Sequence, residues 1–164
     1  IVRLSQDHEG EKDPRNLNDL VHRAADLLRK MIERSRSQIE LQLEKTLPMA
    51  CVNELEMELV LVNLIKNAVQ TGSRFIIIQA RNCGAEVEIV VADNGPGMSA
   101  SQSSRAFDPF FTTRQSTGGT GLGLSIVHSI VHDHHGTIEV ESEVGKSTAF
   151  RIRLPVHNAD DQGV

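Results

Sequence analysis

The chain has no tryptophan, no tyrosine and only two cysteines among its 164 residues. Aromatic residues make up 3% of it, too few for a surface that stacks nucleic-acid bases. A basic face is missing as well: the formal net charge is −5, which argues against nucleic acid as a partner. Cys51 and Cys83 stand far apart, and no Cys-x-x-Cys occurs. That excludes a disulfide framework and makes a reducing, cytoplasmic setting the expectation. No apolar run reaches the length of a membrane span. There is no signal-peptide pattern, and the chain opens on Ile1-Val2-Arg3 without a methionine, so it reads as part of something longer. What remains fits one domain able to bury a real core.

Residues 1–16 are charged and contain Gly10 and Pro14, which reads as the end of one element followed by a linker. Asn18-Asp19 is placed to cap an amphipathic helix whose apolar positions run from Leu20 to Ile32 at helical spacing. Gln38 to Glu44 alternates as a strand. Residues 53–70 predict a long, mostly apolar helix. Phe75–Ile78 and Val87–Val91 predict a hairpin around Asn82-Cys83-Gly84. From Gly95 to Gly121 there is little period and many small residues. A helix follows over about Leu122–His134, with Gly136 ending it. Two more alternating strands, Thr137–Glu141 and Ala149–Leu154, flank a turn at Gly145-Lys146, and His157–Val164 reads as a disordered tail. Strands lying close in sequence, mixed with helices, predict an α/β two-layer sandwich. Its sheet should be mixed and mostly antiparallel, about five strands packed on about three helices.

Four local patterns carry chemistry. Asp93 ends an apolar strand and enters Asn94-Gly95-Pro96-Gly97, so a carboxylate sits where glycines let backbone approach a flat ligand. Taken alone, this is also an ordinary turn after a strand. Asn63 and Asn67 fall at i and i+4, so both amides project from one helix face, with Lys66 and Gln70 beside them. They either satisfy nearby backbone or offer oxygen to Mg²⁺. Phe107, Phe110 and Phe111 crowd a predicted loop and must dock on something, with Thr112, Thr113 and the phosphate-pairing candidate Arg114 following. Gly119-Thr120-Gly121-Leu122-Gly123-Leu124 opens a helix, where free backbone N–H groups form an anion site. It lacks the spacing of a dinucleotide fingerprint, and Gly145-Lys146-Ser147 is no P-loop because Val140 stands where the upstream glycine would be.

In this order and spacing, the four patterns resemble the catalytic, ATP-binding domain of two-component sensor histidine kinases, within the superfamily of DNA gyrase B, Hsp90 and MutL. The resemblance covers about residues 17–155, with 1–16 left as linker and 156–164 as tail. It implies the Bergerat-type ATP-binding fold. It also implies Mg²⁺ coordination by Asn67 with Asn63 as companion, the latter standing where the superfamily's ATPases carry a glutamate base. Adenine recognition falls to Asp93, with Gly95 and Gly97 beside the ring and Thr148 keeping the family's threonine. Residues 99–120 resemble the lid, anchored by Phe107, Phe110 and Phe111. Gly119, Gly121 and Gly123, with Thr120, Leu122 and Leu124, resemble its phosphate-binding end. Lys66 and Arg114 are implied phosphate contacts, and Thr112 and Thr113 are implied to bind the nucleotide. The chain departs from the family pattern at Gln70, often basic, at Ser147, usually glycine, and at His135, where His-Gly-Gly is usual.

The implied cofactors are ATP and Mg²⁺. The implied partners are a separate dimerisation domain carrying the acceptor histidine and the receiver domain of a response regulator. The parent would be a homodimer, membrane-anchored or not, and this piece a monomer. His8 is rejected as acceptor, since Gly10 and a misplaced Pro14 break the acceptor pattern. A different class of function, a nucleotide-gated binding module without turnover, stays open on the residues alone. So does a metal site at His128, His132 and His135, against the simpler reading of a solvated helix end.

Overall fold

The first helix is capped by Asn16 rather than by Asn18 or Asp19. Asn16 is extended (φ −82°, ψ 115°), and its side chain accepts from the Asn18 N–H. The computed structural model describes residues 10–112 and 121–161. Helix α1 spans Leu17–Leu27, and the predicted single helix breaks at Leu28 before α2, Arg29–Arg34. The apolar period runs through the break, which is why the sequence did not show it.

The remaining elements are β2 (Gln38–Leu43), α3 (Glu54–Gln70), β4 (Phe75–Asn82), β5 (Glu86–Asp93), α5 (Gly123–Asp133), β6 (Thr137–Glu143) and β7 (Ser147–Pro155). Three more had no prediction. Strands β1 (Asp13–Arg15) and β3 (Ala50–Val52) pair antiparallel, so three residues assigned to the linker belong to a strand. Helix α4 (Ala100–Ser104) lies in the stretch read as aperiodic, and a capping box of Ser99 and Gln102 sustains it despite its polar composition. The tail is pinned where it leaves the sheet: Val156 bridges Ala50, and the His157 N–H reaches the Met49 carbonyl. A 3₁₀ turn covers Ala159–Asp161.

The main sheet has the order β2-β4-β5-β7-β6, parallel only between β2 and β4. This is the mixed, mostly antiparallel sandwich that the pattern predicts. One face carries Ile76, Ile78, Ile89, Val91, Phe150 and Ile152, all buried. Against it lie Leu20 and Val21 of α1, Leu61, Leu64 and Ile65 of α3, and Val127 and Val131 of α5. Each such side chain stabilises by about 1.5–3 kcal/mol on burial. The opposite face hides one carboxylate, Glu88, beneath Arg81 (2.7 Å), Arg153 (3.1 Å) and Arg151 (3.4 Å). Burial alone would raise this carboxyl; Arg153 and Arg81 hold it below its ordinary range.

The end of α5 differs from expectation. His135 (φ 58°) takes the left-handed position, and the Gly136 N–H closes the turn on the Val131 carbonyl. Gly136 is required for packing, because a Cβ there would lie 2.6 Å from the Arg153 carbonyl oxygen. The left-handed region costs an L-residue about 1–2 kcal/mol. His135→Gly is therefore expected to stabilise the domain by up to about 1 kcal/mol, a Tm rise of about 2–4 °C by scanning calorimetry. A lowered Tm would show that the imidazole makes contacts worth more than the strain. Neighbouring His134 is buried: its Nδ1 lies 2.8 Å from the Ile130 carbonyl, and its Nε2 accepts from the Asn53 N–H. That bond ties the end of α5 to the start of α3. Among the described residues no three metal-binding side chains gather, His128, His132 and His135 included.

Candidate functional site

Helix α3 starts at Asn53, whose side chain accepts from the Glu56 N–H. From there its buried stripe, Met57 through Val69, fixes the helix on the sheet. The polar positions Asn63, Lys66, Asn67 and Gln70 are thereby turned to one side, where they line a cleft. Asn63 Nδ2 donates to the Leu59 carbonyl, so this amide satisfies backbone with its nitrogen and keeps its oxygen. A Cβ on Gly123 would come within 3.0 Å of that oxygen, so the glycine lets the start of α5 close on Asn63.

Across the cleft, β5 delivers Asp93. Its Oδ1 accepts from Ser73 Oγ at 2.7 Å and from the Gly95 N–H at 2.8 Å. Among the described residues, nothing is bonded to Oδ2. Burial pushes this carboxyl above the ordinary carboxylate range, and the bonds from Ser73 and Gly95 pull it partly back. The result is a fixed carboxylate with one oxygen held and one left to accept, on a residue that lines the cleft.

The two glycines of the turn do different jobs. Gly97 lines the cleft, but Gly95 does not. A Cβ on Gly95 would meet Ser73 Oγ at 2.6 Å and Asp93 Oδ1 at 2.8 Å. Gly95 therefore makes room for the carboxylate's own hydrogen bonds. Thr148, nearly buried, lies directly opposite Asp93 on β7 and completes this end.

The phenylalanine loop divides. Phe107 packs against Phe150 and His128, with centroids 6.1 and 5.4 Å away, and is an anchor as expected. Phe110 is 71% exposed and is not. Its backbone takes the left-handed region, and its N–H bonds the Gly121 carbonyl, so position 110 serves through the main chain. Phe111 lies under the Arg105 guanidinium and lines the cleft with Thr112. Gly121, Gly123 and Leu124 line it too, whereas Leu122, Phe107 and Phe110 do not. Thr113, Arg114, Gly119 and Thr120 lie outside the described residues, as does His8. Thr71, Pro96, Met98 and Ala106 line the cleft without having been foreseen, and Ser73 stands behind it. Pro96 and Met98 belong to the same turn as Gly97 and were within reach of the sequence. Ser73 had no signal, being one small residue in a short connection.

Such a cleft brings amide side chains, an ammonium and a fixed carboxylate acceptor into one lining. Residues 52–158 match the family described as histidine kinase-, DNA gyrase B- and HSP90-like ATPases. The chain belongs to that family. It is 38% identical over 152 residues to the sensor histidine kinase ZraS of Escherichia coli K12, covering 90% of this chain and 32% of that protein. It is 34% identical over 155 residues to sporulation kinase E of Bacillus subtilis, covering 92% of this chain and 21% of that one. The chain thus spans about a third or less of these curated relatives. The nucleotide-free catalytic domain of histidine kinase ThkA superposes with a TM-score of 0.80 at 28% identity, covering 89% of this chain and 96% of that one. Full-length ShkA in complex with AMPPNP gives 0.80 at 27%, covering 90% and 32%. The fold and the catalytic-domain assignment of the histidine kinases follow. No described helix is long and apolar enough to cross a membrane.

Proposed function

We propose that this kinase domain binds Mg·ATP in the cleft and passes the γ-phosphoryl to a histidine on a separate dimerisation domain, for relay to an aspartate of a receiver domain. The observation that carries this reading is the half-satisfied Asp93 carboxylate, which lines the same cleft as the Asn63–Lys66–Asn67 row and has only Oδ1 engaged among the described residues. An ionised carboxylate oxygen accepts from the exocyclic amine of adenine. Lys66 and the backbone at the start of α5, from Gly121 through Gly123, answer phosphate charge. Thr112, and outside the described residues Thr113, Arg114, Gly119 and Thr120, are proposed for the same end.

The donor set suits magnesium, a hard cation that takes one or two protein oxygens and fills its shell with phosphate and water. Asn67 would hold it, with Asn63 beside it. When bound, the ion neutralises charge on the phosphates. In the transfer, a nitrogen of the acceptor imidazole forms the N–P bond as the bond to the β-phosphate oxygen breaks, and ADP leaves. No side chain of this domain needs to become covalent; its work is positioning. The proposed setting is a cytoplasmic domain of a homodimeric parent, this piece itself monomeric.

Incubation with γ-labelled ATP, Mg²⁺ and a two-helix dimerisation domain should label a histidine of the latter. Nucleotide binding without any labelled histidine would leave only a nucleotide-gated module. Asn67→Ala should lose most of the gain in ADP affinity that Mg²⁺ brings, on the order of tenfold, while metal-free binding stays the same. Calorimetry with and without chelator checks this.

A further inference from the structure

Ser142 Oγ stands where three hydrogen bonds meet. The Met98 N–H lies 2.7 Å from it, the Ser147 carbonyl oxygen 2.9 Å and Thr148 Oγ1 2.8 Å. A serine hydroxyl has one proton and two lone pairs. The carbonyl can only accept, so the Ser142 proton goes to Ser147. Its lone pairs then take the Met98 N–H and the Thr148 proton. All three bonds coexist in this arrangement alone. Thr148 thus turns its proton inward, and only lone pairs are left for the cleft it lines. Directly across the β5–β7 ladder stands Asp93, whose open Oδ2 also only accepts when ionised.

We infer that Ser142 is a positioning residue: it holds Thr148 as an acceptor beside Asp93, makes the base end of the cleft accept-only, and binds Met98 to the same oxygen. The inference rests on the nucleotide reading above and deepens it. An accept-only pair fits a 6-aminopurine, whose amino group has two N–H donors. A 6-oxopurine offers this end a carbonyl oxygen and a single N1–H in place of two amino N–H donors, so its carbonyl meets acceptors and buried lone pairs stay unpaired. Freed from Ser142, the Thr148 hydroxyl could rotate and donate to that carbonyl. Discrimination is then lost without loss of the cleft.

Calorimetric titration of the 164-residue chain with ADP and with IDP tests this. The wild type should prefer ADP. Ser142→Ala should lower the ADP/IDP affinity ratio about tenfold, as expected for one redirected hydrogen bond, and Ser142→Thr should restore it. A merely structural serine would weaken both nucleotides in step; an unchanged ratio in Ser142→Ala overturns the inference. If melting shows that Ser142→Ala does not fold, Thr148→Val carries the test. Loss of an acceptor lowers the ratio, whereas a ratio that rises means Thr148 donates, which also overturns the inference. A wild-type chain that binds neither nucleotide overturns the nucleotide reading as well. A wild type that prefers ADP, with variants matching its ratio, overturns the role of Ser142 alone.

Discussion

Asp93→Asn is expected to abolish nucleotide binding while leaving the domain at least as stable at neutral pH. The retained amide oxygen can still accept from Ser73 and the Gly95 N–H, so the turn keeps its bonds. What changes is the open atom. Oδ2 becomes an NH₂ group, and a donor then faces the donor of the base. Losing a charged hydrogen bond and leaving polar groups unpaired costs about 3 kcal/mol or more, a factor of at least 100 in affinity. Stability moves the other way. Because burial raises the Asp93 carboxyl, the folded chain holds this proton more firmly than the unfolded chain does. Its contribution to stability is complete below the ordinary carboxylate range and lost as pH rises through the elevated folded value. At neutral pH the ionised group is a burden that asparagine does not carry. Binding depends on pH in the opposite sense, since the acceptor must be ionised. Wild-type affinity should begin to fall on acidification while the pH is still above the ordinary carboxylate range. Thermal melts and calorimetry across that range check both signs, and wild-type affinity in Asp93→Asn would refute the assignment.

Gly97→Ala should damage the fold itself. The backbone there has φ +68°, and a Cβ would lie 2.1 Å from the Glu143 carbonyl oxygen and 2.7 Å from its carbon. Those are main-chain atoms at the β6–β7 turn, which cannot swing aside as a side chain can. The turn is held against them by the Gly145 N–H on the Pro96 carbonyl and the Met98 N–H on Ser142. Left-handed strain of about 1–2 kcal/mol adds to an overpacking cost of about 1–3 kcal/mol. At about 2–4 °C per kcal/mol, a fall in Tm of roughly 10 °C follows, with nucleotide affinity lost alongside. Gly145→Ala is the control. Its φ is +77°, yet nothing lies within 4 Å of the added carbon, so only the strain remains. Equal melting temperatures for the two variants would show that the turn can retreat from the hairpin.

Where the sequence misled, it did so through contacts it does not encode locally. Phe110 and Phe107 are the same residue type three positions apart, yet one packs on Phe150 and His128 and the other is exposed. Gly95 and Gly97 share one turn, yet one makes room for a carboxylate's hydrogen bonds and the other abuts a neighbouring hairpin. Strands β1 and β3 are three residues each, too short for alternation to register, and exist because they pair with each other. Glu88 sits among apolar neighbours in β5 and is buried because arginines from β4 and β7 cover it.

By itself the sequence determined the five main strands, three of them by alternation and two as apolar runs around a turn, the apolar stripe of α3 with its asparagine row, and the carboxylate at a strand end before glycines. These are properties of period and spacing, set by neighbours within a few positions. Only the tertiary structure decided which oxygen of Asp93 is held and which is open. The holder, Ser73, is 20 residues away, and Ser142, which holds Met98 and turns Thr148, is 44 residues beyond Met98. Hydrogen-bond partners at that distance are assigned by how the layers pack, and no local pattern carries that information.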